Sequence, residues 1–107
     1  CAPYHDGDQL PPTAEALMRS RYCAFALQNE AYLQASWHPS TRAGSLELAP
    51  DQEWLLLRII EVRADGDHAT IEFTARSQLK GRSQVQHERS RFVFENGQWY
   101  YLEGEAP

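Results

Sequence analysis

Glu88 is a carboxylate on a predicted strand, and aromatic residues lie on the same face of that strand. In the segment HERSRFVFENGQWYYLEGE, the residues Glu88, Ser90, Phe92 and Phe94 are spaced two apart, and residues two apart in a strand share one face. The carboxylate therefore points to the side on which the aromatic rings are expected to be buried. A charge that is buried without a partner is costly, so Glu88 should meet an opposite charge or a polar cavity.

Arg21 is the cation that is best placed to meet it. Plotted at about 100° per residue, the first predicted helix puts Arg21 inside an apolar stripe with Leu17, Met18 and Phe25. Two interpretations follow: an ion pair that fixes how the helix docks on the sheet, or a pair of groups in a pocket wall that orients a ligand. Both predict that Glu88 is at least half buried and within hydrogen-bonding reach of Arg21 or another polar interior group.

Further side chains are candidates for the lining of such a pocket. They are the polar or aromatic residues expected to face the interior or to follow the second helix, namely Tyr22, Trp37, His38, Trp54, Ser90 and Phe92. His38 precedes Pro39 at a helix end, where a histidine typically satisfies backbone carbonyls. A Cys23–His38 nucleophile pair has no identifiable third group to orient it, and Cys23 is expected to be a buried free thiol. No catalytic residue is assigned.

The remaining charged residues are expected on the outer sheet face. Five arginines could form a basic stripe there, but interleaved Glu61 and Glu72 favour a mixed-charge surface; the arginines are Arg58, Arg63, Arg76, Arg89 and Arg91. His87 is out of phase with Glu88 and should face away from the helices. The sequence contains no glycine-rich phosphate loop, nucleophile elbow or metal-ligand quartet.

Two helices are predicted before any strand. Thr13 follows two prolines and suits an N-cap, and three- and four-residue apolar spacing predicts a helix over 14–28. Asn29 can cap a second helix, EAYLQASW, which Pro39 stops. The preceding YHDGDQLPPT is predicted to be a loop.

From Trp54 the pattern changes to that of strands. EWLLLRIIEVRA, HATIEFTARSQL, SQVQHERSRFVFE and QWYYLE are predicted strands separated by turn signals, of which Asn96-Gly97 is the strongest. LEL before Pro50 is a candidate extra strand. Helices followed by an antiparallel meander indicate an α+β fold, and strands this long should be twisted and bulged. We expect a curved antiparallel sheet over helices, which tends to leave a concave pocket.

Composition limits the class of protein. The 107 residues fit a single domain, and the net charge of −5 argues against a nucleic-acid or anionic-membrane partner. No apolar run reaches the length of about 20 residues that a membrane helix needs. Two cysteines cannot form a disulfide framework, which favours a reducing, cytoplasmic compartment. The chain begins at Cys1 rather than Met, which indicates a fragment or a processed chain.

The motifs together resemble a known bacterial family. TAEALMRSRYCAFAL, YLQASWHPSTR, EWLLLRIIEV, IEFTAR and HERSRFVFENGQWYYLEG are similar to the middle domain of the uncharacterised YchJ-like proteins. The resemblance implies a nuclear transport factor 2-like cone over residues 13–107, preceded at 1–12 by a lead-in. In that family a SEC-C motif, a short zinc-binding Cys-x-Cys…Cys-Cys element, comes immediately before this domain, and CAPYHDG resembles its tail.

The resemblance leads to one expectation about metal. Structural zinc takes four ligands, and only Cys1 and His5 are present in the lead-in. We therefore predict no bound metal or other cofactor in this chain and suspect zinc in the full-length protein, where Cys1 and His5 are possible ligands.

Two functional hypotheses remain open, and whether the chain is an enzyme is uncertain. The first is a non-catalytic scaffold or protein-interaction module of a SEC-C protein, with a possible homodimer through the sheet. The second is a small-molecule-binding or enzymatic domain that uses the conical pocket near Glu88 and Arg21. A pocket of several hundred Å³ that contains polar groups favours the second hypothesis, and a filled core favours the first.

Overall fold

In the part of the chain that the structure describes, three helices precede a four-stranded sheet. The structure is a computed structural model that describes residues 2–7, 9–42 and 51–105. The elements in chain order are α1 Ala2–His5, α2 Ala14–Leu27, α3 Glu30–Ala35, β1 Gln52–Asp65, β2 His68–Leu79, β3 Arg82–Glu95 and β4 Gln98–Glu105. The sheet is antiparallel throughout, in the order β1-β2-β3-β4. The predicted α+β fold, with helices against an antiparallel meander, is confirmed; the candidate strand LEL lies outside the described residues.

Both predicted helix caps are present. The backbone N–H of Ala16 donates to the Thr13 hydroxyl oxygen at 3.0 Å, and that of Tyr32 donates to the Asn29 side-chain oxygen at 3.2 Å. Each contact satisfies one of the donors that the first turn of a helix leaves without an intrahelical partner. The caps fix where α2 and α3 begin.

The second predicted helix ends earlier than expected. It was predicted to include Trp37, but α3 stops at Ala35 because the following backbone pairs with β4 instead. The His38 N–H donates to the Tyr101 carbonyl at 2.8 Å, and the Tyr101 N–H donates to the Ser36 carbonyl at 2.9 Å. Residues 36–38 therefore lie along the free edge of β4.

The lead-in is not wholly a loop. Residues 2–5 form the single turn α1, although Tyr4 and His5 were predicted to be irregular. His5 donates from Nε2 to the Ser20 carbonyl at 2.8 Å, and its ring lies 4.4 Å from that of Tyr32. These tertiary contacts with α2 and α3 explain local order that the sequence pattern did not indicate.

The strands are bulged as predicted, and the bulges keep apolar side chains inside. Register shifts occur in β1 between Trp54 and Leu56 and between Ile59 and Glu61. They allow the irregularly spaced Trp54, Leu57 and Ile59 to pack against the same core. At the β3–β4 turn, Asn96 and Gly97 have φ of 55° and 82°, which is typical of the two-residue hairpin that was predicted.

The two faces of the sheet differ as expected. The inner face packs on α2 through a core of buried side chains that includes Leu17, Met18, Ile71 and Phe92. The outer face carries ion pairs between neighbouring strands. Glu72 accepts from His87 at 2.7 Å and lies 3.7 Å from Arg89, and Arg91 pairs with Glu103 and Glu105. The mixed-charge outer face and the outward position of His87 are confirmed.

Candidate functional site

A cavity of about 320 Å³ lies between α2 and the inner face of the sheet. Its wall combines apolar side chains of α2, β1 and β2 with polar side chains of β3. Its lining residues are Met18, Arg21, Tyr22, Phe25, Trp37, Gln52, Trp54, Leu57, Phe73, Ala75, Gln86, Glu88, Ser90, Phe92 and Tyr101.

One wall of the cavity is aromatic. The rings of Tyr22 and Phe25, which lie on α2, have their centroids 5.8 Å and 6.0 Å from the ring of Trp54 on β1. The tilted and edge-to-face arrangements are those that aromatic pairs prefer. Burial raises the pKa of Tyr22, so its hydroxyl is neutral at physiological pH. This wall suits an apolar or aromatic group.

Arg21 forms the cationic end of the cavity. Its side chain is only 6% exposed, and its Nη1 donates to the Leu33 carbonyl at 2.8 Å and to the Ser36 hydroxyl at 2.6 Å. The guanidinium lies 4.4 Å from the centroid of the Tyr101 ring, within the range of a cation–π contact. Burial lowers the pKa of Arg21 to about 10, which leaves it protonated at neutral pH.

Glu88 forms the anionic part of the wall. It is half-buried on the inner face of β3, as predicted, and its Oε1 accepts from the Gln86 side chain at 3.2 Å. Space for the carboxylate comes from Gly104 on β4, where a Cβ would lie 3.0 Å from the Glu88 Cδ and 3.1 Å from the Tyr101 hydroxyl. Burial, and to a smaller extent the negative charge of Glu88, raises the pKa of Tyr101.

Of the two interpretations of Arg21 and Glu88, the ion pair is not formed, and the position of both side chains in one cavity wall agrees with the other. Both face the same cavity, but within the described residues neither donates to or accepts from the other. Arg21 instead binds the carbonyl and hydroxyl groups at the C-terminal end of α3, where a cation is favoured by the helix dipole and by carbonyls that have no intrahelical partner. Sequence periodicity placed both charges inside but did not indicate where α3 ends.

Seven of the eight predicted pocket residues line the cavity, and His38 does not. Arg21, Tyr22, Trp37, Trp54, Glu88, Ser90 and Phe92 are all in its wall. His38 lies at the other side of β4, where Nδ1 contacts the Ser40 hydroxyl and Nε2 contacts Glu95, each at 2.7 Å. The Ser40 backbone N–H also donates to Nδ1 at 3.1 Å, so the ring does not bind the backbone carbonyls expected for a histidine at a helix end.

Cys23 is disulfide-bonded, so the expected free thiol is wrong. The formation of a disulfide depends on a distance between Cβ atoms that sequence does not reveal. A bonded sulfur is not a nucleophile, which removes the Cys23–His38 pair from consideration.

Several lining residues were missed, and some left a signal in the sequence. Gln86 lies two residues before Glu88 and therefore shares its face of the strand. Tyr101 likewise lies two residues after Trp99, and both pack against the core. Gly104 is not a lining residue but gives the Glu88 carboxylate its space. It pairs with Ser90 across β3 and β4, and no sequence pattern indicates this because a bulge shifts the register between Arg91 and Phe92.

His5 does not fit a metal ligand in this arrangement. Its Nε2 donates to the Ser20 carbonyl, and its Nδ1 lies 3.5 Å from the Asn29 amide nitrogen, so both ring nitrogens are engaged. No group of three or more metal-binding side chains occurs within residues 2–7, 9–42 and 51–105. Cys1 lies outside these ranges.

Comparisons with known proteins agree on one family. The family model described as "YchJ, middle NTF2-like domain" matches residues 13–104. A UPF0225 protein of Polaromonas naphthalenivorans is 49% identical over 106 residues, which cover 98% of this chain and 78% of that protein. A UPF0225 protein of Streptomyces coelicolor is 47% identical over 107 residues, covering 98% and 84%.

Solved structures of similar proteins have the same fold. The solution structure of a SEC-C motif containing protein from Rhodopseudomonas palustris has a TM-score of 0.90 at 34% identity, covering 100% of this chain and 88% of that chain. The crystal structure of a SEC-C motif containing protein from Psychrobacter arcticus has a TM-score of 0.80 at 31% identity, covering 94% and 67%.

Proposed function

Because the chain belongs to the YchJ-like family as its middle NTF2-like domain, we propose that this domain binds a small molecule in the cavity between α2 and the sheet. The observation that carries the proposal is the cavity itself, about 320 Å³ in volume with Arg21, Glu88, Ser90 and Tyr101 in its wall. Ligand sites are concave, largely apolar and supplied with a few polar groups. A filled core would have favoured a purely structural domain.

The proposal covers binding and not a reaction. Among the described residues that line the cavity, no hydroxyl or thiol is hydrogen-bonded to a histidine or carboxylate that could activate it, as covalent catalysis requires. The charged groups are arranged to recognise a ligand, since Arg21 is held rigidly by α3 and Glu88 has room beside Gly104.

A ligand screen with one filled-cavity variant tests the proposal. Ala75 is buried in the cavity wall, so Ala75→Leu should fill part of the space and abolish binding of any metabolite that raises the unfolding midpoint of the protein. Thr74→Leu is the matched control, because its side chain lies on the opposite face of β2. Equal binding by the Ala75→Leu variant would mean that the ligand lies elsewhere.

A second candidate function is contact with another protein through the sheet. Within the described residues, β1 is the sheet edge that no neighbouring segment covers, and its Leu55, Leu56 and Ile60 are about half exposed. Exposed apolar residues on an edge strand favour a protein partner, and a second copy of this chain is the partner we propose. Light scattering after size exclusion should give a dimer that Leu56→Lys converts to a monomer; a monomer at high concentration would contradict it.

Two further expectations belong to the longer protein and to the cell. No described helix is long and apolar enough to span a membrane. Separately, we propose a cytoplasmic location, although a disulfide such as that of Cys23 persists mainly in oxidising compartments. Zinc in a full-length protein with an upstream SEC-C motif is likewise a proposal, which elemental analysis of that protein tests. The arrangement of His5 indicates that the ligands should come from other residues.

A further inference from the structure

We propose that the ligand of the cavity is a small carboxylic acid with an apolar or aromatic body and a separate hydrogen-bond donor. The inference rests on the proposed binding function and adds the chemical class of the ligand. Its central observation is that Arg21 is a buried cation without a carboxylate partner, and that it faces the cavity.

The guanidinium has donors left for a ligand. Both Nη1 contacts are made inside the protein, to Leu33 and Ser36, whereas Nε and Nη2 have no partner among the described residues. A buried charge is expected to be paired, and no carboxylate of the described residues lies within ion-pair distance of Arg21. An anion that enters the cavity would complete the pairing.

The chemistry of the free edge favours a carboxylate. A guanidinium presents its donors as a planar fork that matches the two oxygens of a carboxylate. The Tyr101 ring covers one face of the guanidinium at 4.4 Å, which leaves the edge with Nε and Nη2 for the ligand. The contacts to α3 hold that edge in place, so little entropy is lost when a ligand binds.

Glu88 restricts the rest of the ligand. Its Oε1 accepts from Gln86, and Oε2, in the space beside Gly104, has no donor among the described residues. A second anionic group would be repelled there, whereas a hydroxyl or amine of the ligand would donate to the carboxylate. The aromatic wall of Tyr22, Phe25 and Trp54 suits an apolar body, and about 320 Å³ is at the small end of ligand sites.

Three matched probes test the inference: 4-hydroxyphenylacetate, phenylacetate and 2-(4-hydroxyphenyl)ethanol. The chain has three tryptophans, so the indole N–H signals of ¹⁵N-labelled protein report binding by position. Trp37 and Trp54 line the cavity and Trp99 does not. We expect the hydroxy acid to shift the Trp37 and Trp54 signals and to bind about tenfold or more tightly than the uncharged alcohol, which lacks the charged contact to Arg21.

Glu88→Gln supplies the second readout without disturbing Arg21. It should strengthen binding of phenylacetate, since it removes a negative charge from the cavity, and reduce the preference for the hydroxy acid. Glu72→Gln, a carboxylate on the outer face, is the matched control and should change neither. Binding of the alcohol as tightly as the acid would overturn the inference and leave the binding function standing. No cavity binding by any probe at millimolar concentration would also overturn the inference, whereas the binding function itself fails only if the metabolite screen finds no ligand that Ala75→Leu displaces.

Discussion

Replacing Arg21 by methionine tests whether this buried cation holds α2 to α3. The side chain is 6% exposed and joins the two helices through its contacts to Leu33 and Ser36. Methionine has a similar length and keeps much of the apolar packing of the stem. The substitution therefore removes mainly the charge and its hydrogen bonds.

The expected loss of unfolding free energy is about 2–4 kcal/mol. Each charge-assisted hydrogen bond contributes about 1.5–3 kcal/mol, and the cation–π contact with Tyr101 adds about 0.5–2 kcal/mol. The loss of unfolding free energy is partly offset, because the variant does not have to desolvate a guanidinium when it folds. With a denaturant slope of about 2 kcal/mol per molar urea, the urea midpoint should fall by about 1–2 M.

Two control variants test whether the loss is specific to the contacts between Arg21 and α3. Arg19 lies on the same helix in an exposed pair with Glu15 at 3.2 Å, so Arg19→Met should cost only about 0.3–0.5 kcal/mol. Glu88→Gln should also cost little, because Glu88 is not the partner of Arg21. Equal losses for Arg21→Met and Arg19→Met, or a loss for Glu88→Gln as large as that for Arg21→Met, would refute the reasoning.

Three further predictions follow from single contacts. Thr13→Ala removes the cap of α2 and should lower stability by about 1 kcal/mol in the same urea assay, with Thr13→Ser restoring most of it; no change would contradict the cap. The raised pKa of Tyr101 means that its neutral form is favoured on folding, so its contribution is complete below the pKa of an unfolded tyrosine and is lost as pH rises through the higher folded value. Glu88→Gln should lower the pKa of Tyr101 in a tyrosinate absorbance titration, and an unchanged titration would show that the two groups do not interact. Gly104→Ala should displace the Glu88 carboxylate, since the new Cβ would lie 3.0 Å from its Cδ, and should weaken probe binding with little loss of stability; unaltered affinity would place the ligand away from Glu88.

The fold could be predicted from sequence because its signals are local. Thr13 and Asn29 are capping residues with the correct spacing, and Asn96-Gly97 is suited to a two-residue hairpin turn that needs positive φ at both positions. Alternation in β2 and β3 gave the inner face correctly, including Glu88 and Ser90. Each of these features depends on residues a few positions apart in the chain.

The site could be predicted only in part because its remaining features depend on tertiary contacts. The partner of Arg21 is the end of α3, and α3 ends early because residues 36–38 pair with Tyr101, more than sixty residues later in the chain. Gly104 faces Glu88 only because a bulge shifts the β3–β4 register. Helical and strand periodicity indicate which side chains point inward, but not which of them meet.

Intermolecular nuclear Overhauser effects between bound 4-hydroxyphenylacetate and the labelled protein test the central claim most directly. We expect cross-peaks to the rings of Tyr22, Trp54 and Phe92, which line the cavity. Cross-peaks confined to Leu56 and Val85, which are exposed on the sheet, would contradict the account.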